Sequence, residues 1–521
     1  MHLTLQHLRH PEVVTGRHTL SLLFVCLLCL TVQNSFAGNL TVLDSTTFSH
    51  YVAHFNAMED ENVTNYVSNA DSWDWLQKEI PFFECPDHEV EEMYYFRWWS
   101  FRKHLEQTTN GFVFSEFLTR PNPVSSALGF QIAEGRWLHD QNYLDDYVSY
   151  WLRDEAVQQQ LHKYSQWLAV AVWQRYLTTG DANFTTNQLA ALVADYGLWE
   201  KDHLTDSGLF WQFDVRDAME ESISGSRTAK NLRPTINSYM FGNAQAIAQI
   251  AWLAGDKKLA KGFDDKAAHL KKLVEKNLWN DDAKFFEAIH TNGKPADVRE
   301  EIGFIPWMFE LPDDNKKFNS AWGQLTDVKG FSAPFGVTTA ERRSPFFRTH
   351  GYGHCEWDGA VWPFATSQTL DALANFLRDY RQSIVTEQNY FDVFLTYVHS
   401  QHADGKPYIG EYLDETTGQW INGKEGRSRY YNHSTFADLV ITGVIGLVPR
   451  ADDVVEVFPL LPEGVWNYFC VDGVNYHGHV LTIIWDQDGS RYGRGKGLLV
   501  LADGKEIARG AKLEKITVKL P

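Results

Sequence analysis

The chain is poor in cysteine, and its cysteines are scattered. Only 5 of its 521 residues are cysteine, and Cys26 and Cys29 lie in an apolar run near the start. The remaining three, Cys85, Cys355 and Cys470, are too few and too far apart for a disulfide framework, although one disulfide is an option. Their spacing matches no metal site, so we predict that the protein holds no metal.

Positive charge is also scarce. Lysine and arginine together number 47 against 67 aspartate and glutamate residues, which gives a formal net charge of −20. A nucleic-acid partner is therefore not expected, because no basic field attracts phosphates. The same charge weakens the case for a strongly anionic polymer as substrate.

Long apolar runs are absent after the first forty residues. Near the start, Arg9 and Arg17 precede an apolar run over residues 20–32, and the small residues of Ser35-Phe-Ala-Gly38 follow. This pattern predicts a signal peptide over residues 1–37. The run is short for a membrane span, and an uncleaved membrane anchor is the alternative to a signal peptide. We expect a secreted or extracytoplasmic protein without stable membrane insertion after signal cleavage.

Apolar residues at helical spacing recur from about residue 126 and predict a series of helices. The predicted helices cover residues 141–152, 165–177, 186–203, 237–254, 259–278, 366–379, 387–401 and 434–447. Helical hairpins cannot cover their own apolar faces, so the series must close or stack. A closed α/α toroid is the simplest arrangement.

Short strand-like runs with Gly and Asp turns replace the helices after Pro449. They lie at residues 453–461, 480–485, 497–501 and 515–520 and predict a small β-sandwich. The predicted organisation is a signal peptide (1–37), an N-terminal segment packed on the barrel (38–125), a helical catalytic domain (126–448) and a C-terminal β-module (449–521).

The segment 214–225 holds the densest cluster of reactive side chains. Its members and their aromatic neighbour are Trp211, Asp214, Arg216, Asp217, Glu220 and Glu221. We expect the segment to form about three helical turns. Buried carboxylates need partners or shifted pKa values, so the cluster indicates a polar, sugar-sized pocket beside aromatic rings. A solvated acidic helix start is the alternative.

Cleavage of a glycosidic bond requires two carboxyl groups, one to protonate the leaving oxygen and one to activate water or attack the sugar. Asp217, Glu220 and Glu221 are the candidates for the first group. On a helix, Asp217 would share a face with both glutamates, and mutual repulsion would keep one of them protonated.

Glu411 is the candidate for the second carboxyl group. It follows Pro407-Tyr-Ile-Gly410 and precedes a turn at Asp414-Glu-Thr-Thr-Gly418. Its neighbour Tyr412 favours a binding site, and capping of the turn is the alternative role.

Further polar and aromatic residues are candidates for substrate binding. The candidates are Trp137, Asp140, Glu356, Trp357, Asp358, Trp362, Tyr412 and His433. Aromatic rings offer flat faces for sugar stacking, but they also serve simple packing. A solvated helix start explains Trp137 and Asp140 equally well.

Taken together, these motifs and their order resemble the mannosylglycerate hydrolase-like glycoside hydrolases, which are similar to glycoside hydrolase family 63. The resemblance covers roughly residues 130–450 and includes Asn237-Ser-Tyr-Met-Phe241 and Asn432-His-Ser-Thr435. The C-terminal module, with Pro459-Leu-Leu-Pro462, is similar to those of α-L-rhamnosidases.

The resemblance implies a mainly α fold, an (α/α)6 toroid with a small C-terminal β-sandwich, and an inverting mechanism without cofactor. The acid of the family falls on Glu220, where this chain has Glu in place of Asp, and Asp217 and Glu221 are its alternates. The base falls on Glu411. Asp358 occupies a position where the family has a cation, which suggests a neutral carbohydrate substrate.

Two other functions fit the same sequence. A polysaccharide lyase can also use an α/α toroid, with His350, Tyr352 and Arg299 recruited to abstract a proton beside a uronate carboxylate. A non-catalytic carbohydrate-binding protein is the other alternative. We favour an exo-acting glycosidase over both. The acidic cluster makes the anionic substrate of a lyase unattractive.

Overall fold

The structure is a computed structural model that describes residues 41–120, 122–153, 155–351, 354–422 and 428–521. The expected signal peptide and Tyr352 lie outside the described residues. The predicted boundaries between the segments of the chain stay predictions.

The α-helices of the described residues are α1 (Ser49–Ala57), α2 (Ser72–Glu79), α3 (His88–Arg102), α4 (Leu128–Gly135), α5 (Asn142–Leu152), α6 (Glu155–Leu161), α7 (Leu168–Thr179), α8 (Ala182–Asn187), α9 (Leu189–His203), α10 (Pro234–Leu253), α11 (Lys257–Asn277), α12 (Ile305–Met308), α13 (Lys316–Asn319), α14 (Pro363–Asp379) and α15 (Glu387–Ser400). A π-helix follows at Leu439–Val444.

Six of these segments form an inner ring. They are α4, α7, α10, α12, α14 and the π-helix, and each packs against the next. The ring closes where the Glu134 carboxylate at the end of α4 accepts hydrogen bonds from the backbone N–H groups of Phe436, Ala437 and Asp438. Helices α9, α11 and α15 pack against the inner helices α10 and α14. The fold is therefore mainly helical, as predicted.

Helix ends follow ordinary capping chemistry. Helix α10 begins with Pro234, whose ring suits the first turn, and α11 begins where the Asp256 side chain accepts from the Leu259 N–H at 3.0 Å. Helix α7 ends at Gly180, whose φ of 69° lies in the left-handed region that glycine tolerates best.

The last predicted helix, 434–447, is much shorter in the structure. Residues 431–436 are not helical, and the helix begins where the Glu134 carboxylate binds the backbone N–H groups of Phe436, Ala437 and Asp438. The π-helix then ends near Gly446, which has a φ of 87°. A larger residue at Gly443 would collide with Tyr390, because its Cβ atom would lie 1.8 Å from the tyrosine hydroxyl oxygen.

Short β-strands occur in the loops between the helices, and longer strands form most of the C-terminal sheets. They are β1 (Phe82–Glu84), β2 (Leu105–Thr108), β3 (Gly111–Phe114), β4 (Trp211–Gln212), β5 (Asn231–Leu232), β6 (Trp279–Asn280), β7 (Phe285–Phe286), β8 (Ser332–Ala333), β9 (Gly336–Val337), β10 (His402–Ala403), β11 (Lys406–Pro407), β12 (Tyr412–Leu413), β13 (Trp420–Asn422), β14 (Leu447–Val448), β15 (Val454–Val457), β16 (Tyr468–Tyr476), β17 (His479–Asp486), β18 (Gly497–Ala502), β19 (Lys505–Gly510) and β20 (Ile516–Lys519).

The C-terminal strands form two antiparallel sheets, with orders β1-β16-β17-β18-β19 and β14-β15-β20. The N-terminal segment contributes β1, in which Phe83 pairs with Val471. The interior strand β18 is buried along its whole length, which explains its continuous apolar sequence. The N-terminal segment is thus tied to the C-terminal module as well as to the helices.

Candidate active site

A cavity of about 290 Å³ opens where the inner helices begin. Ser126 and Tyr164 precede α4 and α7, Phe364 lies in the first turn of α14, and His433 precedes the π-helix. The other lining residues are Glu116, Phe117, Arg120, Asn122, Val124, Lys163, Ala218, Glu220, Cys355, Trp362, Glu411 and Tyr431. Helix N-termini carry partial positive charge, so this end of the ring favours negative groups.

The acidic segment 214–225 is not the helix that its sequence suggested. A 3₁₀ turn covers only Asp214–Arg216. Beyond it, Ala218 and Glu221 have φ values of 58° and 66°, in the left-handed region that interrupts a right-handed helix. The predicted helix face shared by Asp217 and the two glutamates is therefore wrong, and the loop separates their side chains.

Glu220 is the carboxylate that this loop presents to the cavity. Burial raises the pKa of Glu220 to about 7, and the negative charges of Glu411 and Asp214 add to the rise. A carboxylic acid that keeps its proton near neutral pH has the property that a general acid needs.

The two alternates for that role have other partners. Asp217 is buried and accepts hydrogen bonds from Arg233 Nε and Ser165 Oγ, both at 2.6 Å. Glu221 pairs with Arg227 at 2.6 Å on a half-exposed surface. Neither residue lines the cavity, so the geometry favours Glu220.

Glu411 reaches the same cavity from a distant part of the chain. Its side chain is 4% exposed and accepts a hydrogen bond from Ser428 Oγ at 2.9 Å. The next residues form β12, and a bridge between Leu413 and Val361 fixes this strand beside the loop that precedes α14. The two proposed catalytic carboxyl groups therefore share one cavity, although their roles stay predictions.

Three aromatic side chains form a stack at the cavity wall. The Trp362 ring lies between those of Tyr412 and Trp357, with centroid distances of 4.6 Å and 4.7 Å. Only Trp362 lines the cavity. Tyr412 and Trp357 are buried behind it, so they set its orientation rather than offer a face to substrate.

Glu356 and Asp358 have structural partners. Glu356 lies 2.5 Å from Arg348 Nη1. Asp358 accepts hydrogen bonds from the backbone N–H groups of His350 and Gly351 at 2.5 Å and 3.2 Å. Neither lines the cavity. The predicted substrate contacts of Glu356 and Asp358 are therefore not supported, and Asp358 carries no weight in the choice of substrate charge.

His433 lines the cavity and is 1% exposed. Neither of its ring nitrogens meets hydrogen-bond geometry with any residue that the structure describes. Burial, assisted by the charge of Arg97, holds the pKa of His433 well below its usual value, so the ring is neutral. A backbone hydrogen bond with Tyr431 opposes this fall in pKa.

The remaining members of the acidic segment lie around the cavity rather than on its wall. The Trp211 ring stacks on His203 at 4.6 Å. Asp214 is buried, and its charge acts on Glu220. Arg216 is exposed, with its guanidinium 5.9 Å from the Tyr164 ring centroid. The structure does not bring these three predicted binding residues into the cavity.

Trp137 and Asp140 lie away from the cavity as well. Trp137 Nε1 donates to Asp438 Oδ1 at 2.6 Å, beside the ion pair of Arg136 with the same carboxylate. Asp140 accepts from the backbone N–H of Asn142 at 3.0 Å. A buried hydrogen-bond network and a turn explain the polar and aromatic residues that suggested a sugar subsite there.

The sequence reasoning missed several residues of the cavity, among them Glu116, Arg120, Lys163 and Tyr164. Glu116 follows β3, in the segment that was expected only to pack on the barrel. Its backbone carbonyl accepts from Asn432 N–H at 3.1 Å, and Gln131 Nε2 donates to Ser115 O. These bonds fix the end of the hairpin against the inner ring, a long-range contact that no local pattern reveals.

Within the described ranges, no group of three His, Cys, Asp or Glu side chains is placed to hold a metal ion. The described helices also include none that is long and apolar enough to cross a bilayer.

Two family descriptions match the sequence. "Mannosylglycerate hydrolase MGH1-like glycoside hydrolase domain" matches residues 120–434, and "Glycosyl hydrolase family 65, C-terminal domain" matches residues 449–509. The first match covers more than half of the chain and contains Glu220 and Glu411.

Known proteins are similar over parts of their length. The solved structure of a sialidase is 49% identical, with a TM-score of 0.89 over 91% of this chain and 45% of that one. The family 78 rhamnosidase of Bacillus sp. GL1 is 13% identical, with a TM-score of 0.57 over 78% of this chain and 40% of that one. An uncharacterized protein of Borreliella burgdorferi is 22% identical over 41% of this chain and 44% of its own length. This chain thus spans less than half of each.

Proposed function

This chain belongs to the mannosylglycerate hydrolase MGH1-like glycoside hydrolases, and we propose that it is an inverting, exo-acting member that hydrolyses a neutral glycoside. The observation that carries the proposal is the meeting of Glu220 and Glu411 in one cavity, with the pKa of Glu220 raised to about 7. One carboxyl group then keeps its proton while the other accepts one.

In the proposed reaction, Glu220 donates its proton to the glycosidic oxygen as the bond to the anomeric carbon breaks. Glu411 takes a proton from a water molecule, whose oxygen attacks that carbon from the opposite face. The products are a free sugar of inverted configuration and an alcohol. Glu411 then returns its proton to solvent, and Glu220 regains one.

The size and charge of the cavity support the exo-acting and neutral parts of the proposal. At about 290 Å³ it lies at the small end of the range of ligand pockets, which suits a terminal sugar unit better than a long chain. Three carboxyl groups line it, from Glu116, Glu220 and Glu411, against the two cations Arg120 and Lys163. With Glu220 protonated, the two remaining carboxylates match the two cations, so the cavity has no excess of positive charge to attract an anionic sugar.

A sialic acid glycoside is the second candidate substrate. The 49% identical relative is a sialidase, although that protein has a further half that this chain does not match. Arg120 and Lys163 are the cations that would receive a sugar carboxylate. This candidate predicts hydrolysis of an aryl sialoside and loss of that activity in Arg120→Gln.

The test is a screen of 4-nitrophenyl glycosides and oligosaccharides, including an aryl sialoside, followed by ¹H NMR of the first-formed anomer. We expect hydrolysis of a neutral glycoside with inversion, and losses of about 10²–10⁴-fold in Glu220→Gln and Glu411→Gln. Glu221→Gln is the matched control, because it removes a neighbouring carboxylate outside the cavity. Retention of configuration, or near-wild-type activity in either site variant, would refute the roles proposed here.

We further propose that the protein acts outside the cytoplasm. The support is the basic, apolar and small-residue pattern over residues 1–37. Expression of the full chain and N-terminal sequencing of the exported protein test this. A mature N-terminus close to residue 38 is expected, and an intact Met1 on a cytoplasmic product would contradict it.

A further inference from the structure

Arg233 connects the two sides of the loop that carries Glu220. Its Nε donates to Asp217 Oδ2 at 2.6 Å, on the N-terminal side. Its Nη1 and Nη2 donate to Ser224 Oγ at 3.3 Å and Ser222 Oγ at 3.4 Å, on the C-terminal side. One planar guanidinium therefore holds residues on both flanks of Glu220.

The loop between these anchors has a conformation that it would not adopt alone. Ala218 and Glu221, two residues before and one residue after Glu220, are both left-handed non-glycine residues. Such conformations persist only where the surroundings hold them. The hydrogen bonds that Arg233 makes across the base of the loop supply this support.

Arg233 is itself held by a rigid element. It is fully buried immediately before Pro234, at the start of the inner helix α10. The second flank has an additional tie, because Ser224 N–H donates to Glu300 Oε1 at 3.3 Å. On the N-terminal side of the loop, Ser165 Oγ also donates a hydrogen bond to the Asp217 carboxylate. The loop is thus fastened to the framework of the inner ring.

Arg233 does not line the cavity, so it does not serve as a substrate ligand. Burial raises the pKa of its partner Asp217, and the Arg233 charge opposes that rise. The pair resembles the buried pair of Arg136 with Asp438, where Asp438 accepts from Arg136 Nε and Nη2. The difference is that only the Arg233 pair brackets a carboxyl group of the cavity.

We propose that Arg233 is a positioning residue, which clamps the loop 217–224 so that the Glu220 carboxyl group stays buried in the cavity and aimed at the glycosidic oxygen. The inference rests on the proposed role of Glu220 as general acid. Asp217, Ser222 and Ser224 are the three attachment points of this clamp.

The variant Arg233→Lys tests the clamp. Lysine keeps a positive charge for Asp217, but a single ammonium cannot also reach both serines with the geometry of a guanidinium. The matched control is Arg136→Lys, which alters a buried Arg–Asp pair away from the cavity. A second variant covers the case in which Arg233→Lys does not fold. The double substitution Ser222→Ala with Ser224→Ala removes the two serine hydroxyl groups that Arg233 binds and leaves the Arg233–Asp217 pair intact.

Two readouts need no substrate. Amide hydrogen exchange of residues 214–225 should be faster by about tenfold or more in Arg233→Lys and in the double serine variant, but unchanged in Arg136→Lys. The pKa of Glu220, followed by ¹³C NMR of labelled glutamate, should fall from about 7 toward 4.5 as water reaches the loosened carboxyl group. Equal behaviour of the Arg233 and Arg136 variants in both measurements overturns the proposal.

The kinetic readout uses the glycoside found in the screen, as its 4-nitrophenyl and 2,4-dinitrophenyl derivatives. With the 4-nitrophenyl derivative, we expect kcat of Arg233→Lys to be about 10–100-fold lower than that of wild type and KM to stay within about threefold of the wild-type value. The loss of kcat should be smaller with the 2,4-dinitrophenyl derivative, because its better leaving group needs less protonation. A uniform loss on both derivatives, or a change confined to KM, contradicts a positioning role.

The two proposals fail differently. If wild-type protein hydrolyses no glycoside, or Glu220→Gln remains active, the role of Glu220 is wrong. If Glu220→Gln is inactive but Arg233→Lys matches Arg136→Lys in exchange, pKa and kinetics, only the clamp is wrong.

Discussion

The charge of Glu411 acts on Glu220 across a single cavity and adds to the pKa rise that burial causes. The two residues come from distant segments, one on a strained loop before α10 and the other directly before β12. Their convergence gives one protonatable group and one carboxylate on the walls of the same space. The pairing has direct consequences for how activity and stability depend on pH.

Activity should decline as pH rises through neutrality. A general acid must be protonated, and the pKa of Glu220 is raised to about 7, so the fraction of competent enzyme falls above that pH. A pH profile of kcat/KM should show its basic limb near pH 7. Because the Asp214 charge contributes to the rise, Asp214→Asn should move this limb to lower pH. A basic limb above pH 9, unmoved by Asp214→Asn, would exclude Glu220 as the acid.

Glu220 should also lower the stability of the protein at alkaline pH. Its folded-state pKa of about 7 exceeds the ordinary value of 4.5, so the folded state binds more protons between these values. The stability linked to its protonation is complete below about pH 4.5 and is lost as pH rises through about 7.

The variant Glu220→Gln removes the buried charge and should be more stable than wild type at pH 8, by up to about 3 kcal/mol. The difference should disappear near pH 4.5. Urea unfolding at both pH values measures it. Glu221→Gln, which alters a half-exposed carboxylate paired with Arg227, should show no such gain. A stability loss in Glu220→Gln at pH 8 would contradict the burial of a charge at this site.

Glu116 should contribute to substrate binding. It is the third carboxyl group of the cavity and is 5% exposed. A charged acceptor that binds a sugar hydroxyl contributes about 1.5–3 kcal/mol, so Glu116→Gln should lower kcat/KM about 10–100-fold. Glu106→Gln is the control, because Glu106 lies on the same hairpin, is similarly buried and does not line the cavity. Equal kinetic effects of the two variants would remove Glu116 from the site.

Much of the helical framework could be predicted from local sequence. The spacing of apolar residues located most of the long helices to within a few residues, and the order of motifs gave the family resemblance, which the match over residues 120–434 confirms. The helix predicted over 434–447 begins later in the structure, where the Glu134 carboxylate binds the backbone N–H groups of its start. That contact joins residues about 300 positions apart and leaves no local pattern.

The site was harder to predict than the fold. The residue pattern offered Glu411 and three candidates for the acid, from which the resemblance singled out Glu220. The helical geometry predicted for the acidic segment was wrong, because Ala218 and Glu221 adopt left-handed conformations that are rare for non-glycine residues. Asp358 looked like a ligand and instead binds backbone N–H groups. Glu116 looked remote and lies in the cavity. Residue type alone does not distinguish a side chain that lines the cavity from one that has a structural role.

Trp137 should matter for stability and not for catalysis. Its indole N–H donates to the buried Asp438 at 2.6 Å. Trp137→Phe leaves part of that carboxylate unsatisfied and should lower the free energy of unfolding by about 1–3 kcal/mol. Thermal unfolding and steady-state kinetics at a permissive temperature separate the two effects. A raised KM with unchanged stability would restore the sugar subsite that the sequence suggested there.

His433 should bind substrate as a neutral ring. It is buried in the cavity wall, and its nitrogens meet no hydrogen-bond geometry with the described residues. His433→Phe keeps an aromatic ring beside Trp362 and Phe364 but removes both nitrogens. We expect kcat/KM to fall about tenfold or more, by a similar factor at every pH, because the pKa of His433 lies well below its usual value and the ring does not titrate in the working range.

His104→Phe is the matched control for this variant. His104 is equally buried, but its Nε2 is already engaged by the Tyr430 carbonyl at 2.6 Å, and it does not line the cavity. Replacement of His104 should lower stability and leave kcat/KM unchanged. His433→Phe should lower kcat/KM and change stability less. If both variants lose stability and neither loses kcat/KM, His433 is a packing residue and the sugar must find its hydrogen bonds elsewhere on the cavity wall.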